Sequence, residues 1–121
     1  DHFYTTDPKG EVAQEAGYHL EGITGYLYPS PTNGTVPLLR WFSTNGDHFY
    51  TTDPKGEVAP EVGYKFEGIT GYLYPANTNG TIPLYRWYHA DTHDHFYTID
   101  PSGELAPSAG YKSEGITGYL Y

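Results

Sequence analysis

Asp-His-Phe-Tyr-Thr occupies residues 1–5, 47–51 and 94–98, and each copy leads into Glu-Gly-Ile-Thr-Gly-Tyr-Leu-Tyr. That second motif occupies residues 21–28, 67–74 and 114–121. A near-copy with a period in the forties is typical of one supersecondary unit that is used repeatedly. The fold is therefore predicted unit by unit, and a binding site within a unit is expected to exist in two or three copies.

The repeats divide one domain, residues 1–121, into units 1–46, 47–93 and 94–121, of which the last is incomplete. A Pro-Leu-x-Arg-Trp segment precedes the second and third copies of the Asp-His motif, at residues 37–41 and 83–87, but not the first. Two expectations follow: either the native chain extends ahead of Asp1, or closure between the first and last units is incomplete.

Each unit has the pattern of short β-strands. Residues alternate along 95–98 and 69–74, and the Pro-Leu-x-Arg-Trp segments predict strands over 37–42 and 83–88. Alternation places His95 and Tyr97 on an exposed face and Phe96 in the core. Tight turns are predicted at two Asn-Gly pairs, and hairpin loops ahead of two copies of the motif: Asn33-Gly34, Asn79-Gly80, residues 44–46 and residues 90–93.

The segments between Asp-Pro and Gly-Tyr leave room for one helical turn at most, because Pro60 and Pro107 stand where Gln14 stands in the first unit. Without a crossover helix the sheet should be antiparallel. We predict an all-β fold with threefold pseudosymmetry of the β-trefoil type, since closure removes exposed strand edges. The alternative is a set of β-propeller blades that close by dimerisation, which predicts a homodimer.

The amino-acid composition limits the classes of partner that the chain is expected to bind. The net charge of −9 argues against nucleic acid and anionic membrane surfaces, and no apolar run reaches the roughly 20 residues of a membrane span. Cysteine is absent, so no disulfide framework exists. The chain has 14 tyrosines, and tyrosine joins an apolar ring to a polar tip, a combination that suits recognition surfaces.

The succession Pro-Leu-Tyr-Arg, Asp-His-Phe-Tyr-Thr-Thr, Gly-Tyr and Glu-Gly-Ile-x-Gly-Tyr resembles a tandem-repeat family of secreted proteins, catalogued as a domain of unknown function. The resemblance covers essentially the whole chain and extends to small fungal (mushroom) lectins. It implies glycan binding rather than catalysis, and an extracellular location. The chain departs from the pattern at Leu39, where the family has Tyr, and at Ile99, where it has Thr.

A sugar has an apolar face and a polar rim, so its site needs an aromatic platform and a few hydrogen-bonding partners. We expect Trp or Tyr to stack on the sugar while Asp, His and Arg bind its hydroxyls. The second and third copies of the Asp-His motif each have an Arg-Trp segment ahead of them, whereas the first copy has none. The candidates are Arg40, Trp41, Asp47, His48 and Tyr50; Arg86, Trp87, Asp94, His95 and Tyr97; and Asp1, His2 and Tyr4.

The same residues also admit a structural interpretation, in which Asp-His is a local cap and each Arg pairs with an acid to tie the units together. The recurring Asp-Pro-x-Gly-Glu segments suggest calcium, but they are more simply turns. The run His93-Asp94-His95 suggests zinc, but it does not recur. A glycosidase usually has one asymmetric active site, whereas every candidate acid here recurs in equivalent contexts. We expect no cofactor, no metal and no enzymatic step.

The sequence thus favours a secreted lectin with repeated, multivalent glycan sites, of galactose or N-acetylgalactosamine type. Repeated weak sites would raise avidity on dense glycans. Two other functions remain open: a module that targets cell-wall polysaccharide, and a structural or assembly protein that binds no small ligand.

Overall fold

The two Pro-Leu-x-Arg-Trp segments form the central strands of two antiparallel sheets. The structure, a computed structural model, describes residues 1–11, 13, 15–78 and 80–121. The first sheet has the order β2-β1-β3 and the second β5-β4-β6. The strands are β1 (Val36–Ser43), β2 (His48–Thr51), β3 (Tyr64–Leu73), β4 (Ile82–His89), β5 (Asp94–Thr98) and β6 (Lys112–Leu120). The predicted all-β class and antiparallel pairing are confirmed.

The predicted hairpins are present, since β1 turns back into β2 and β4 into β5. The Asn33-Gly34 turn is also present. Gly34 has φ +83°, a conformation that glycine adopts without steric cost, and the Thr35 N–H donates to the Thr32 carbonyl at 2.9 Å. The matching turn in the second unit falls partly on Asn79, which lies outside the described residues.

The predicted helical turn forms in the second unit as a 3-10 turn, Pro60–Val62, and Gly63 ends it with φ +97°. In the third unit, residues 104–110 form hydrogen-bonded turns instead. The first unit's segment includes Val12 and Gln14, which lie outside the described residues. A proline inside each of the two complete segments keeps the helical stretch short, because it lacks the N–H of a continuing helix.

Each long outer strand carries a bulge at the glutamate of its Glu-Gly-Ile-Thr-Gly motif. In β3 the register shifts at Glu67, between Phe66 and Gly68, and in β6 at Glu114; a second shift in each strand falls at Thr70 or Thr117. A bulge leaves one residue unpaired and redirects its side chain. Both glutamates are thereby turned toward the arginine of the neighbouring central strand, Arg40 or Arg86.

Three tyrosines, one from each copy of the Asp-His motif, form the centre of the core. The rings of Tyr4, Tyr50 and Tyr97 pack edge to face, with centroids 5.3 Å apart in every pair. The Tyr97 hydroxyl accepts the Tyr50 N–H at 2.7 Å and donates to the Tyr50 carbonyl at 3.0 Å. Tyr50 binds Tyr4, and Tyr4 binds Tyr97, in the same way. The bonds close a ring in which every buried hydroxyl is satisfied.

The predicted burial of the third copy of the motif is wrong. His95 is 7% exposed and Tyr97 2%, whereas Phe96 is only half-buried. Strand alternation separates the two faces but does not say which one points inward. The His-Tyr face points inward because its polar groups find partners on the other copies of the motif, which removes the cost of burying them.

The Gly-Tyr-Leu-Tyr ends of the units also contact one another in a cycle. Each leucine lies where a side chain on the next unit's glycine would stand, so a Cβ there would come within 2.1 to 2.4 Å of it. These contacts explain the second glycine of the Glu-Gly-Ile-Thr-Gly motif, which needs no left-handed backbone. The pairs are Leu27 on Gly71, Leu73 on Gly118 and Leu120 on Gly25.

Candidate functional site

Each aspartate of the Asp-His motif binds a different copy of the motif. Asp47 accepts the backbone N–H of His95 at 3.0 Å and the Nδ1–H of the same residue at 2.6 Å. It also accepts the hydroxyl of Tyr64. Asp47 is 4% exposed, so a carboxylate in this position needs these donors to offset the loss of water.

The same arrangement occurs twice more. Asp1 binds the backbone and ring of His48 at 2.8 and 2.5 Å, and Asp94 binds those of His2 at 3.2 and 2.7 Å. Tyr18 and Tyr111 supply the corresponding hydroxyls. Asp1 and Asp47 thus each bind the histidine of the next copy of the motif, and Asp94 binds the histidine of the first copy.

The far ring nitrogen of His95 lies 3.5 Å from the bulge residue Glu114, so this imidazole bridges two carboxylates. Burial by itself lowers the pKa of His95, but the hydrogen bonds to Asp47 and Glu114 outweigh it and raise the pKa above its ordinary value. His48 has a similar place beside Glu67. There burial dominates and lowers the pKa.

The two arginines also join one unit to the next. Arg86 donates to both oxygens of Glu57, at 2.9 and 3.1 Å, and through Nε to Glu114 at 2.9 Å. Its guanidinium carbon lies 4.7 Å from the centre of the Phe49 ring. Arg40 makes the equivalent contacts with Glu11, Glu67 and Phe3. Both arginines are therefore paired with acids that tie the units together, as in the structural interpretation of the sequence.

Each tryptophan lies against a glycine of the unit that follows it in the chain. Trp41 is 9% exposed, and a Cβ on Gly56 would come within 2.7 Å of its ring. Trp87 packs on Gly103 in the same way, at 2.6 Å. The indole nitrogens of both are buried without a hydrogen-bond partner among the described residues. One face of each ring is therefore covered by protein backbone.

Three of the aspartates converge on one polar pocket of about 410 Å³, which we call the Asp-lined pocket. One oxygen from each of Asp1, Asp47 and Asp94 lies within 4.8 Å of the others. His2 and Tyr111 line the wall, and the rim comes from the two hairpin loops. The rim residues are Asn45, Gly46, Thr92 and His93.

The structure brings only some of the sequence-predicted site residues to this pocket. Asp1, His2, Asp47 and Asp94 line the pocket, whereas the other candidates do not. Those others are His48 and His95, Tyr4, Tyr50 and Tyr97, Arg40 and Arg86, and Trp41 and Trp87. The rim residues and Tyr111 were missed. The rim residues could have been recognised by their place in hairpin loops, because loops beside a rigid sheet commonly carry binding residues.

The family model described as "Domain of unknown function (DUF5648)" matches residues 1–121. The chain belongs to the DUF5648 family. The DUF5648 match extends over all three units, so the Asp-lined pocket lies wholly within the family's domain. No curated protein and no solved structure matches the chain. In the part of the chain that the structure describes, no helix is long and apolar enough to cross a membrane.

The buried aspartates predict that the free energy of unfolding falls at acid pH. Burial raises the pKa of Asp94, but hydrogen bonds from His2 and Tyr111 outweigh it and bring the pKa to about 2. Because the folded pKa lies below the unfolded one, this stabilisation is present above about pH 4 and is lost as the pH falls toward 2. The shift corresponds to about 2 kcal/mol. Urea unfolding from pH 7 to pH 2 should show the decline.

The matched comparison for this prediction is Asp94→Asn against Asp91→Asn, an exposed aspartate in the hairpin loop that precedes β5. Asp94→Asn should be less stable at pH 7 and should show a shallower decline below pH 4. Asp91→Asn should follow the unmodified protein. An Asp94→Asn curve parallel to the unmodified one over the whole range would contradict the assignment.

Proposed function

We propose that the chain is a carbohydrate-binding lectin whose glycan site is the Asp-lined pocket. One observation carries the proposal: three Asp-His motifs that lie far apart in sequence open onto a single polar concavity. Its volume of about 410 Å³ falls in the range of small-molecule sites. The pocket combines acceptors, donors and one aromatic ring, which are the groups that a sugar requires.

The aspartates supply acceptors for sugar hydroxyls. In Asp47 one oxygen accepts only the His95 backbone N–H, and a carboxylate oxygen can accept a second hydrogen bond. Hydrogen bonds to a charged acceptor are about twice as strong as neutral ones. Asn45 and Thr92 at the rim add neutral donors and acceptors, and Tyr111 adds an apolar ring edge. Terminal galactose or N-acetylgalactosamine remains our proposed ligand class.

This proposal differs from the sequence expectation in the number of sites. The sequence predicted two complete sites, each with its own Trp and Arg, and one partial site with neither. The aspartates instead share one pocket, so avidity on a glycan surface would require several chains. We retain the secreted location as part of the proposal, on the resemblance of the motifs to secreted proteins.

The proposal includes a closed arrangement of the three units within one chain. Its support is cyclic contact: Tyr28 pairs with Tyr72, Tyr74 with Tyr119, and the Tyr121 N–H reaches the Tyr26 carbonyl at 3.3 Å. The separate three-stranded sheets favour blades over the continuous barrel of a trefoil. Closure within one chain would make dimerisation unnecessary for the fold.

The test is glycan-array binding followed by titration calorimetry on the best glycan. Asn45→Ala combined with Thr92→Ala removes two exposed rim side chains that make no hydrogen bonds of their own to the described residues. We expect binding to weaken at least tenfold, the loss of about 1.4 kcal/mol, with unchanged thermal stability. Ser108→Ala, on an exposed turn elsewhere, is the control and should bind normally.

Three outcomes would count against this site. Glycan binding that ignores the rim substitutions would place the sugar elsewhere on the chain. Binding to insoluble polysaccharide without any terminal-sugar preference would favour a wall-targeting module. Absence of binding across the array at millimolar glycan would favour an assembly protein, for which the internal use of His48, His95 and both arginines is the supporting observation.

A further inference from the structure

The two hairpin loops at the rim of the Asp-lined pocket are not copies of each other. The loop ahead of Asp47 ends in Gly46, whereas the loop ahead of Asp94 is one residue longer and ends in His93. Both residues have a left-handed backbone, with φ of +100° at Gly46 and +60° at His93. Glycine adopts this conformation without steric cost, but a residue with a side chain does not. The second hairpin thus carries backbone strain at the position that places an imidazole at the rim.

The other side chains on a left-handed backbone belong to the repeat. Among the described residues these are Glu11, Glu57 and Glu104, with φ of +57° or +58°, at one equivalent position of each unit. Each of these glutamates accepts the hydroxyl of the threonine that ends its Asp-His-Phe-Tyr-Thr motif. Their conformation is therefore explained by the repeated turn. The strain at His93 has no such explanation, because the matching position ahead of Asp47 is a glycine.

His93 is held by a second residue that departs from the repeat. Its Nδ1 lies 2.9 Å from the hydroxyl of Tyr88, which stands where the other hairpin has Phe42. The Tyr88 ring packs on His95 with centroids 4.6 Å apart, as the Phe42 ring packs on His48 at 4.7 Å. The extra hydroxyl leaves this packing unchanged and adds only the bond to His93. The two departures from the repeat contact each other, as is expected if they have a common role.

The three aspartates give the pocket an almost threefold set of hydrogen-bond acceptors. Asp1, Asp47 and Asp94 each bind one histidine and one tyrosine hydroxyl, and one oxygen of each lies within 4.8 Å of the others. A sugar has no threefold symmetry, so equivalent acceptors alone would hold it in several orientations with similar free energy. A group that stands beside one aspartate and not beside another removes this equivalence. His93 is such a group, since it stands beside Asp94 where Gly46 stands beside Asp47.

His93 also supplies a hydrogen-bond donor, which the aspartates cannot. An ionised carboxylate only accepts, whereas a neutral imidazole has one donor and one acceptor nitrogen. When Nδ1 accepts the Tyr88 hydroxyl, the proton of the neutral ring is on Nε2. Nε2 has no hydrogen-bond partner among the described residues, and the His93 side chain is exposed. A free donor therefore lies at the rim of a pocket that is rich in acceptors.

The two sugars of the proposed ligand class differ in one group. N-Acetylgalactosamine carries an acetamido group on the ring carbon where galactose carries a hydroxyl. The hydroxyl donates and therefore suits a carboxylate, whereas the acetamido carbonyl oxygen only accepts and gains nothing from one. A polar group that is desolvated without a partner costs binding free energy. The carbonyl oxygen thus needs a donor such as the Nε2–H of His93.

We propose that His93 is the specificity-determining residue of the Asp-lined pocket and selects N-acetylgalactosamine over galactose, by donating its Nε2–H to the acetamido carbonyl oxygen. The aspartates remain the acceptors for the sugar's hydroxyls. Tyr88 is a positioning residue, because it holds the imidazole through Nδ1 and does not line the pocket. This inference rests on the proposed glycan function and narrows its ligand from two sugars to one.

The test is titration calorimetry with two probes, methyl α-N-acetylgalactosaminide and methyl α-galactoside. The unmodified protein should bind the first about tenfold more tightly, the effect of one net hydrogen bond. His93→Gly gives this hairpin the glycine of the other one. The preference should then fall below about threefold, because the donor is lost. The midpoint of thermal unfolding should not fall, since glycine relieves the strained backbone.

Further variants separate the donor from its support. His93→Asn keeps an N–H donor on a residue type that tolerates a left-handed backbone, so it should retain part of the preference. Tyr88→Phe reproduces Phe42 and keeps the ring packing on His95 but releases the imidazole, so the preference should fall in part. His19→Asn changes an exposed histidine elsewhere in the chain and should leave both affinities unchanged. In nitrogen-15 NMR, the Nε2 resonance of His93 should shift with the N-acetylated probe and not with the galactoside.

The outcomes distinguish this inference from the proposed function. Equal affinity of the unmodified protein for the two probes would overturn the inference and leave glycan binding intact. A preference that survives His93→Gly would overturn it as well. A preference lost together with thermal stability in both His93→Gly and His93→Asn would identify His93 as a structural residue of the hairpin, which also overturns it. Absence of binding to either probe at millimolar concentration would overturn the inference, and the glycan array then decides the proposed function by itself.

Discussion

Replacement of Tyr97 by Phe is expected to lower the free energy of unfolding by about 4 kcal/mol. The Tyr97 hydroxyl accepts the N–H of Tyr50 and donates to its carbonyl, at 2.7 and 3.0 Å, in a fully buried position. The substitution keeps the ring and removes only the oxygen. Two buried backbone groups then lose their partner, and each unsatisfied group costs about 1 to 3 kcal/mol.

Urea denaturation at pH 7 measures this effect. Tyr26→Phe is the control, because the Tyr26 side chain is 59% exposed and its hydroxyl makes no hydrogen bond to the described residues. Tyr50→Phe should resemble Tyr97→Phe, since its hydroxyl has the same role toward Tyr4. A loss below 1 kcal/mol for Tyr97→Phe would mean that the ring of hydroxyl bonds contributes little to stability.

Replacement of Arg86 by Met is expected to cost about 1 to 2 kcal/mol. The Arg86 side chain is 13% exposed. It donates to Glu57 in the second unit and to Glu114 in the third, and so links the two units. Methionine preserves the packing over Phe49 but leaves two carboxylates without their cation. The side chains of Glu57 and Glu114 are 37% and 32% exposed, so water solvates part of the charge that remains, and the loss is smaller than for a fully buried pair.

Two further variants separate charge from geometry at this position. Lys112→Met removes an exposed positive charge and should change stability by less than about 0.5 kcal/mol. Arg86→Lys keeps the charge but loses the planar fork, so it should recover only part of the loss. Full recovery by lysine, or an Arg86→Met variant as stable as the unmodified protein, would contradict the bidentate role.

Much of the secondary structure was predictable because its signals are local. Proline and alternating residues indicated strands that the structure has as β1 and β4, and Asn33-Gly34 indicated a turn that is present. The bulges at Glu67 and Glu114 were not predicted. A bulge depends on the register between two strands, and register is a property of the pair rather than of either segment.

The candidate site was less predictable. Sequence reasoning grouped Asp47 with Arg40 and Trp41, its neighbours in the chain, whereas Asp47 binds His95 of the next copy. Near-identical copies make this ambiguity unavoidable, since a partner from any copy satisfies the same chemistry. The rim residue Asn45 belongs to no repeated motif, so no sequence pattern marks it as a candidate.

The sequence by itself determined the all-β class, the hairpins, the glycine turns and the imbalance between three Asp-His segments and two Arg-Trp segments. These follow from local backbone preference and from counting copies. Only the tertiary structure decided that the His-Tyr face points inward and that each aspartate serves another unit. The physical reason is that buried polar groups need partners, and here those partners come from residues about 47 positions away in the chain.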